Sequence, residues 1–365
     1  MPTVPGYPRV SRFFKMAALT TTLATSACMP FGTRLLQDDQ VDYARALVFA
    51  QKRQTLANIV GLRYAEPAVV LPVSQVIAAY SLDGSANAAA ALSTQNNAPT
   101  TGSIGGGIGY ATRPTFTFTP LTGEDFANAY SRPLAPSLVL PLVQSGVPID
   151  VLLRLAVQSI GSLQNSAALS GANNAGSHGF FELLQALRRL QLGGFVAMRL
   201  EGSPQGNRIF MSIEVPAQAS DDDRADAARV RELLTVPAGT TDIEVLYGVA
   251  DESGSRVGIV TRSVIGMLTE VGAQIQVPPE DVASGATLAT VGFLDIERRP
   301  VIIVHTGGKM PDNAYASIKH QRRDYWIEQT DFDSKFAFSV VQTLIALAQA
   351  GRSQPIPVVT IPAGG

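Results

Sequence analysis

The sequence predicts an α+β fold in which antiparallel β-hairpins and sheets are covered by amphipathic helices, grouped into two α+β subdomains. Three observations carry this prediction. Threonine and phenylalanine alternate strictly along Thr115–Thr119, and a period of two recurs along Val196–Glu201 and again along Ile209–Val215, the period of a half-buried strand. Between such stretches apolar residues recur at helical spacing, as in Phe181, Leu184, Leu187 and Leu190. A stripe on a helix and a face on a sheet each need a partner, and the simplest arrangement packs one on the other.

The elements follow in chain order. Asp38 and Asp39 can cap a helix running to about Tyr64, with Val41, Leu47, Val48, Leu56, Ile59 and Val60 at helical spacing. Val69 to Leu82 reads as extended, because Pro72 and the β-branched residues oppose a helix. Asp83 to Thr101, rich in Ala, Asn, Ser and Thr, reads as a loop, and Gly102 to Thr119 as a strand. The two extended stretches would form a long hairpin with the Ala/Asn loop at its tip. A short helix opens at Pro136 and Ser137 and ends at Gly146. Another starts at Pro148 and Asp150, placing Val151, Leu152, Leu155 and Ile160 on one face. After a loop from Gly161 to Gly176 comes a helix over Ser177–Leu192. Val196–Leu200 and Ile209–Val215 then form a hairpin around the Ser203–Asn207 turn.

The run Asp221, Asp222, Asp223 opens a helix through Leu234, and the segment before it sets the expected domain boundary, separating 38–216 from 217–365. The second part reads as two similar passages of strand, strand and capped helix. One comprises Asp242–Tyr247, Arg256–Val260 and a helix stopped by Pro278. The other comprises Val301–His305, Tyr315–Gln329 and a helix capped by Asp331 or Asp333. This suggests an internal duplication.

Composition narrows the function. Lys and Arg number 28 against 30 Asp and Glu, a near-neutral balance that argues against a nucleic-acid partner. One cysteine excludes a disulfide framework and any cysteine-rich metal cage. Gly105-Gly106-Gly107-Ile108-Gly109 runs into a strand instead of a helix, so it is not a dinucleotide turn but a flexible strand or bulge. Gly307-Gly308-Lys309 is followed by Met310 and lacks the spacing of a phosphate loop. The three histidines, His178, His305 and His320, lie in different elements, and His305 at a strand end is the least implausible catalytic candidate, against the plainer reading of a packed or turn histidine. No catalytic set, metal site or cofactor is expected, and no mature segment is apolar enough to span a bilayer as a helix. Lys319, Arg322, Arg323, Tyr325 and Trp326 form the most distinctive polar and aromatic patch and are the candidate interaction surface.

The N-terminus carries an address. Arg9, Arg12 and Lys15 precede the apolar, small-residue stretch Met16–Ala24, which ends in Thr25-Ser26-Ala27-Cys28. This segment resembles the signal peptide and lipobox of bacterial lipoprotein precursors. The resemblance implies cleavage of residues 1–27, lipid attachment at Cys28, and a tether over 28–37. Met29 after the cysteine implies sorting to the outer membrane, facing the periplasm. Thr25 departs from the usual leucine. The blocks Leu56–Tyr64, Arg113–Leu121 and Tyr325–Glu328 are similar to uncharacterised proteobacterial lipoproteins, which implies a common fold but no activity.

The expectation is therefore a lipid-anchored envelope protein with a non-catalytic interaction or assembly role, its partners being the membrane and other proteins or copies of itself. Two alternatives are an oligomeric pore or secretion component using the 69–119 hairpin and a periplasmic hydrolase built on His305. The glycines and alternating aromatics of the hairpin resemble barrel strands.

Overall fold

The computed structural model describes residues 31–71, 73–91, 101–118, 120–167, 176–203, 206–248, 254–290 and 299–350. Cys28, the signal segment and residues 168–175 of the loop expected over 161–176 lie outside them. The chain divides into two compact units, residues 1–53 and 54–365. Helix α1 (Phe31–Arg63) begins in the first and ends in the second. It starts seven residues before the expected acidic cap, because Arg34-Leu35-Leu36-Gln37 are strong helix formers, so most of the expected tether is helical. In the first unit Asp42 and Arg45 pair at 3.5 Å, and Arg53 lies over the Phe49 ring at 5.9 Å. Val41 and Val48 are exposed there, whereas Leu56, Ile59 and Val60, in the second unit, are fully buried.

The second unit opens with β1 (Val73–Ala91) and β2 (Thr101–Phe118), an antiparallel pair that forms a two-stranded sheet of its own. A short helix α2 (Gly123–Phe126) runs into a π-helical turn, and α3 (Pro136–Val139) into a 3-10 helix over Leu140–Val143, with a turn closing at Gly146. Helix α4 (Ile149–Ala156) buries Leu152, Leu153 and Leu155, and the chain then straightens into β3 (Val157–Ile160). Ile160, expected on the helix face, is thus a strand residue, because the β-branched Val157 passes directly into sheet pairing with Thr261, and Ile160 with Ile259. The remaining elements are β4 (Leu163–Gln164), α5 (His178–Leu192), β5 (Val196–Ser203), β6 (Gly206–Ile213), α6 (Asp221–Leu233), β7 (Asp242–Tyr247) and β8 (Arg256–Thr261). They continue through α7 (Val264–Ala273), α8 (Pro279–Ala283), β9 (His305–Thr306), β10 (Ala316–His320), β11 (Arg323–Ile327) and α9 (Phe332–Gln349).

A mixed sheet in the order β4-β3-β8-β7-β6-β5 organises the core. Only β7 and β8 are parallel. On β6, Ile209, Met211 and Ile213 lie in the hydrophobic core. Phe210, on the other face, lies between Arg199 and Arg208 at 5.4 and 5.0 Å. Helices α4 and α5 supply partners of the apolar face, Leu153, Leu183 and Leu187 lying with Met211, Val257 and Ile259, and Val230 of α6 and Met267 and Leu268 of α7 are buried in the same core. Gly272 brings α7 against α1: a Cβ there would stand 2.8 Å from the Ile59 carbonyl oxygen. Helix α6 is fixed by a capping box in which Ser220 and Asp223 exchange hydrogen bonds.

Two expectations about the C-terminal part are corrected. The sheet crosses the boundary placed at 217, since β6 before it pairs with β7 after it through Ile209–Val245 and Met211–Ile243. The two passages read as a duplication differ in pairing. β7 and β8 are parallel strands of the large sheet, whereas Tyr315–Gln329 folds into the antiparallel β10–β11 hairpin of a separate three-stranded sheet with β9. The turn of that hairpin sits at Gln321 and Arg322, whose φ angles are 44° and 71°. Positive φ at both central residues matches the right-handed twist of the flanking strands.

Candidate functional site

The β1–β2 ribbon is held at its base by short, directional contacts. Asn58 on α1 acts as a substitute strand edge: its Nδ2 donates to the Val69 carbonyl at 3.0 Å, and its Oδ1 accepts the Val69 N–H at 2.9 Å. Across the ribbon the Leu121 N–H donates to the Val70 carbonyl at 3.1 Å. Both strands therefore leave the folded core from fixed points.

Beyond the base the register is one-to-one from Gln75↔Thr117 to Ala91↔Thr101, with the single irregularity between Val73 and Gln75. The segment Asp83–Ala91, expected as a loop, is strand. Its small residues pair opposite the glycine cluster, with Asp83, Ser85, Ala86 and Asn87 facing Gly109, Gly107, Gly106 and Gly105. The glycines therefore form neither a bulge nor a nucleotide turn.

This register sorts the ribbon into two faces, because directly opposed residues share a face and successive ones alternate. One face holds the pairs Val76/Phe116, Ala78/Pro114, Tyr80/Thr112 and Leu82/Tyr110. It continues through Gly84/Ile108, Ala86/Gly106, Ala88/Ile104 and Ala90/Gly102. Thr112 is its one polar residue, and it carries no charge. The other face takes both charges of the ribbon, Asp83 and Arg113, together with Gln75, Ser81, Ser85, Asn87, Ser103 and three threonines. Neither strand pairs with a further strand among those described, so both outer edges are free.

The length suits a membrane. From Leu82 to Ala91 and from Thr101 to Tyr110 each strand runs about ten residues, the number a transmembrane strand needs. At about 3.3 Å per residue that is roughly 33 Å of strand, which a tilt of about 40° converts to a rise of about 25 Å. Tyr80 and Tyr110 stand on the apolar face at the base end of this stretch, where aromatic girdles occur. Arg113 and Pro114 fall on the base side of Tyr110, outside it.

The expected surface patch comes apart. Tyr325 is 1% exposed and Trp326 5%, so neither can meet a partner. The cause is local pairing. The Tyr325 hydroxyl lies 2.8 Å from that of Tyr64, which lies 2.7 Å from Asp281 Oδ2. Because a carboxylate only accepts, Tyr64 donates to Asp281 and Tyr325 donates to Tyr64. Burial, together with the bonds to Tyr325 and Asp281, pushes the Tyr64 phenol well above its ordinary range. The Trp326 indole donates to Glu328 at 2.9 Å and stacks on His305, with ring centroids 5.7 Å apart. Arg323 is taken up by Glu280 and Asp281 at 3.2 and 3.3 Å. Only Lys319 and Arg322 remain on the surface. Composition favoured a surface reading, and Tyr64, Glu280 and Asp281, each more than forty residues from the side chain it meets, left no local sign.

Among the described residues no free hydroxyl and carboxylate are set beside His305 as a catalytic constellation. The nearby α9 cap could supply a hydroxyl and a carboxylate, but Ser334 donates to Asp331 at 2.6 Å and accepts the Ile303 N–H at 2.9 Å. Ser334 is fully buried in that role. Among the described residues no group of three His, Cys, Asp or Glu side chains is placed to hold a metal ion, and no helix is long and apolar enough to cross a membrane. The ribbon is the feature the rest of the fold does not use. No protein family model, no curated protein and no solved structure matches this chain.

Proposed function

We propose that this chain is an envelope protein, lipid-anchored through Cys28, whose β1–β2 ribbon inserts into a bilayer as one segment of an oligomeric β-barrel. The observation that carries this is the division of the ribbon into an uncharged face and a polar face by a single continuous register. Oligomerisation follows from the free edges. In hydrocarbon every backbone N–H and C=O must be paired within the protein, so a lone ribbon cannot insert and its edges must meet those of further copies. Closure takes at least about four ribbons, and a water-filled interior about eight. The anchor would hold the mature chains at the membrane while they assemble.

The test replaces residues 74–117 by a short Gly/Ser connection in the mature chain. Val70 and Leu121 already meet at the base, so the core should fold unchanged by circular dichroism. The intact protein should release a small dye from vesicles and form rings in detergent, and the shortened protein should do neither. Equal dye release by both would overturn the proposal.

A further inference from the structure

The two charges of the polar face are separated along the strand in a way that bears on what such a barrel would conduct. Asp83, opposite Gly109, lies within the bilayer-length stretch, one position beyond the Leu82/Tyr110 pair. Arg113, opposite Ala79, lies four positions nearer the base, outside that stretch. At about 3.3 Å per residue the two are roughly 13 Å apart. That exceeds the Debye length of about 8 Å at physiological ionic strength, so in water the arginines would not cancel the carboxylates. The neighbouring positions on the polar face, Ser81, Ser85, Gly107 and Ala111, carry no charge. Closing the ribbon into a barrel would repeat Asp83 once per copy at one level, with low-dielectric wall behind it, and acidic rings of this kind select cations.

We infer that the assembled barrel passes small inorganic cations in preference to anions, and that Asp83 sets this preference; the inference rests on the barrel proposed above. The experiment records single channels of the intact mature protein in a planar bilayer under a KCl gradient. The wild type should show a reversal potential of cationic sign. Asp83→Asn should lower the K⁺/Cl⁻ permeability ratio several-fold toward one, and Asp83→Lys should reverse the sign. Arg113→Gln should leave the ratio within about twofold, because its charge sits beyond the screening distance. Channels whose ratio is unchanged by Asp83→Asn, or is moved more by Arg113→Gln, would overturn this inference and leave the barrel standing. Absence of any channel from the wild-type protein would overturn both.

Discussion

Two sheets in one chain use the same alternation to different ends. In the six-stranded sheet the apolar face is built from Ile, Val and Met, and helices of the same chain, α4 and α5 among them, bury it. In the β1–β2 ribbon the apolar face is mostly Ala, Gly and Ile, and among the described residues no helix packs along it. The large sheet completes its core within the chain. The ribbon has an apolar face and two free edges, and an isolated two-stranded ribbon is marginal in water. Its partners are therefore expected outside the chain: lipid on the face, further copies on the edges.

The sharpest way to break this contrast is to place one charge on each face of the ribbon. Ala86→Arg, at the middle of the bilayer-length stretch, puts a cation on the face assigned to lipid, at about 2–4 kcal/mol per copy near the bilayer midplane, multiplied by the copies in the ring. It should abolish dye release. Ser85→Arg, adjacent in register but on the polar face, should retain release. Equal loss in both would mean that the faces are not distinguished by a membrane.

The next effect belongs to the other sheet. Ile259, at the centre of β8 and 2% exposed, should cost about 2–5 kcal/mol of stability when replaced by Ala. A denaturant titration measures this, and the same loss should appear in the protein lacking the ribbon.

Acid is the mildest probe. Hydrogen bonds from Arg229 hold Glu182 below the usual carboxylate range, and one from Arg208 does the same for Glu244. Burial pushes Asp331 up, but its bonds from Ser334 outweigh this and leave it lowered. A group whose folded pKa is depressed contributes stability above its unfolded value, near 4, and loses it as the pH falls through the folded value. The unfolding temperature should therefore decline below about pH 4, equally with and without the ribbon. A decline confined to the intact protein would place the acid-sensitive groups in the ribbon.

Much of the fold was legible in sequence because its signals are local. Pro148 and Ser177 stand just before helices, Ser220 and Asp331 accept backbone hydrogen bonds as caps, and the β5–β6 alternation survives intact. What was hidden depends on pairing at a distance. Asp83–Ala91 has weak strand propensity and becomes a strand only opposite the glycine-rich β2, so the full two-face division emerges only with the register. Gln321 and Arg322 turn the chain at positive φ without glycine, which concealed a hairpin inside an apparent single strand. Tyr325 looked like surface until Tyr64, far away in sequence, supplied the partner that lets its hydroxyl be buried.

The central claim is that the ribbon lies in a membrane with one face to lipid and the other to water. Single cysteines at Ser85, Ala86, Asn87 and Ala88, in a chain whose Cys28 is replaced by Ser so that it takes no label, can carry a polarity-sensitive fluorophore in reconstituted vesicles. The account predicts blue-shifted, lipid-quenched emission at Ala86 and Ala88 and water-like emission at Ser85 and Asn87. Emission without that alternation, or the same at all four positions before and after vesicles are added, would contradict it.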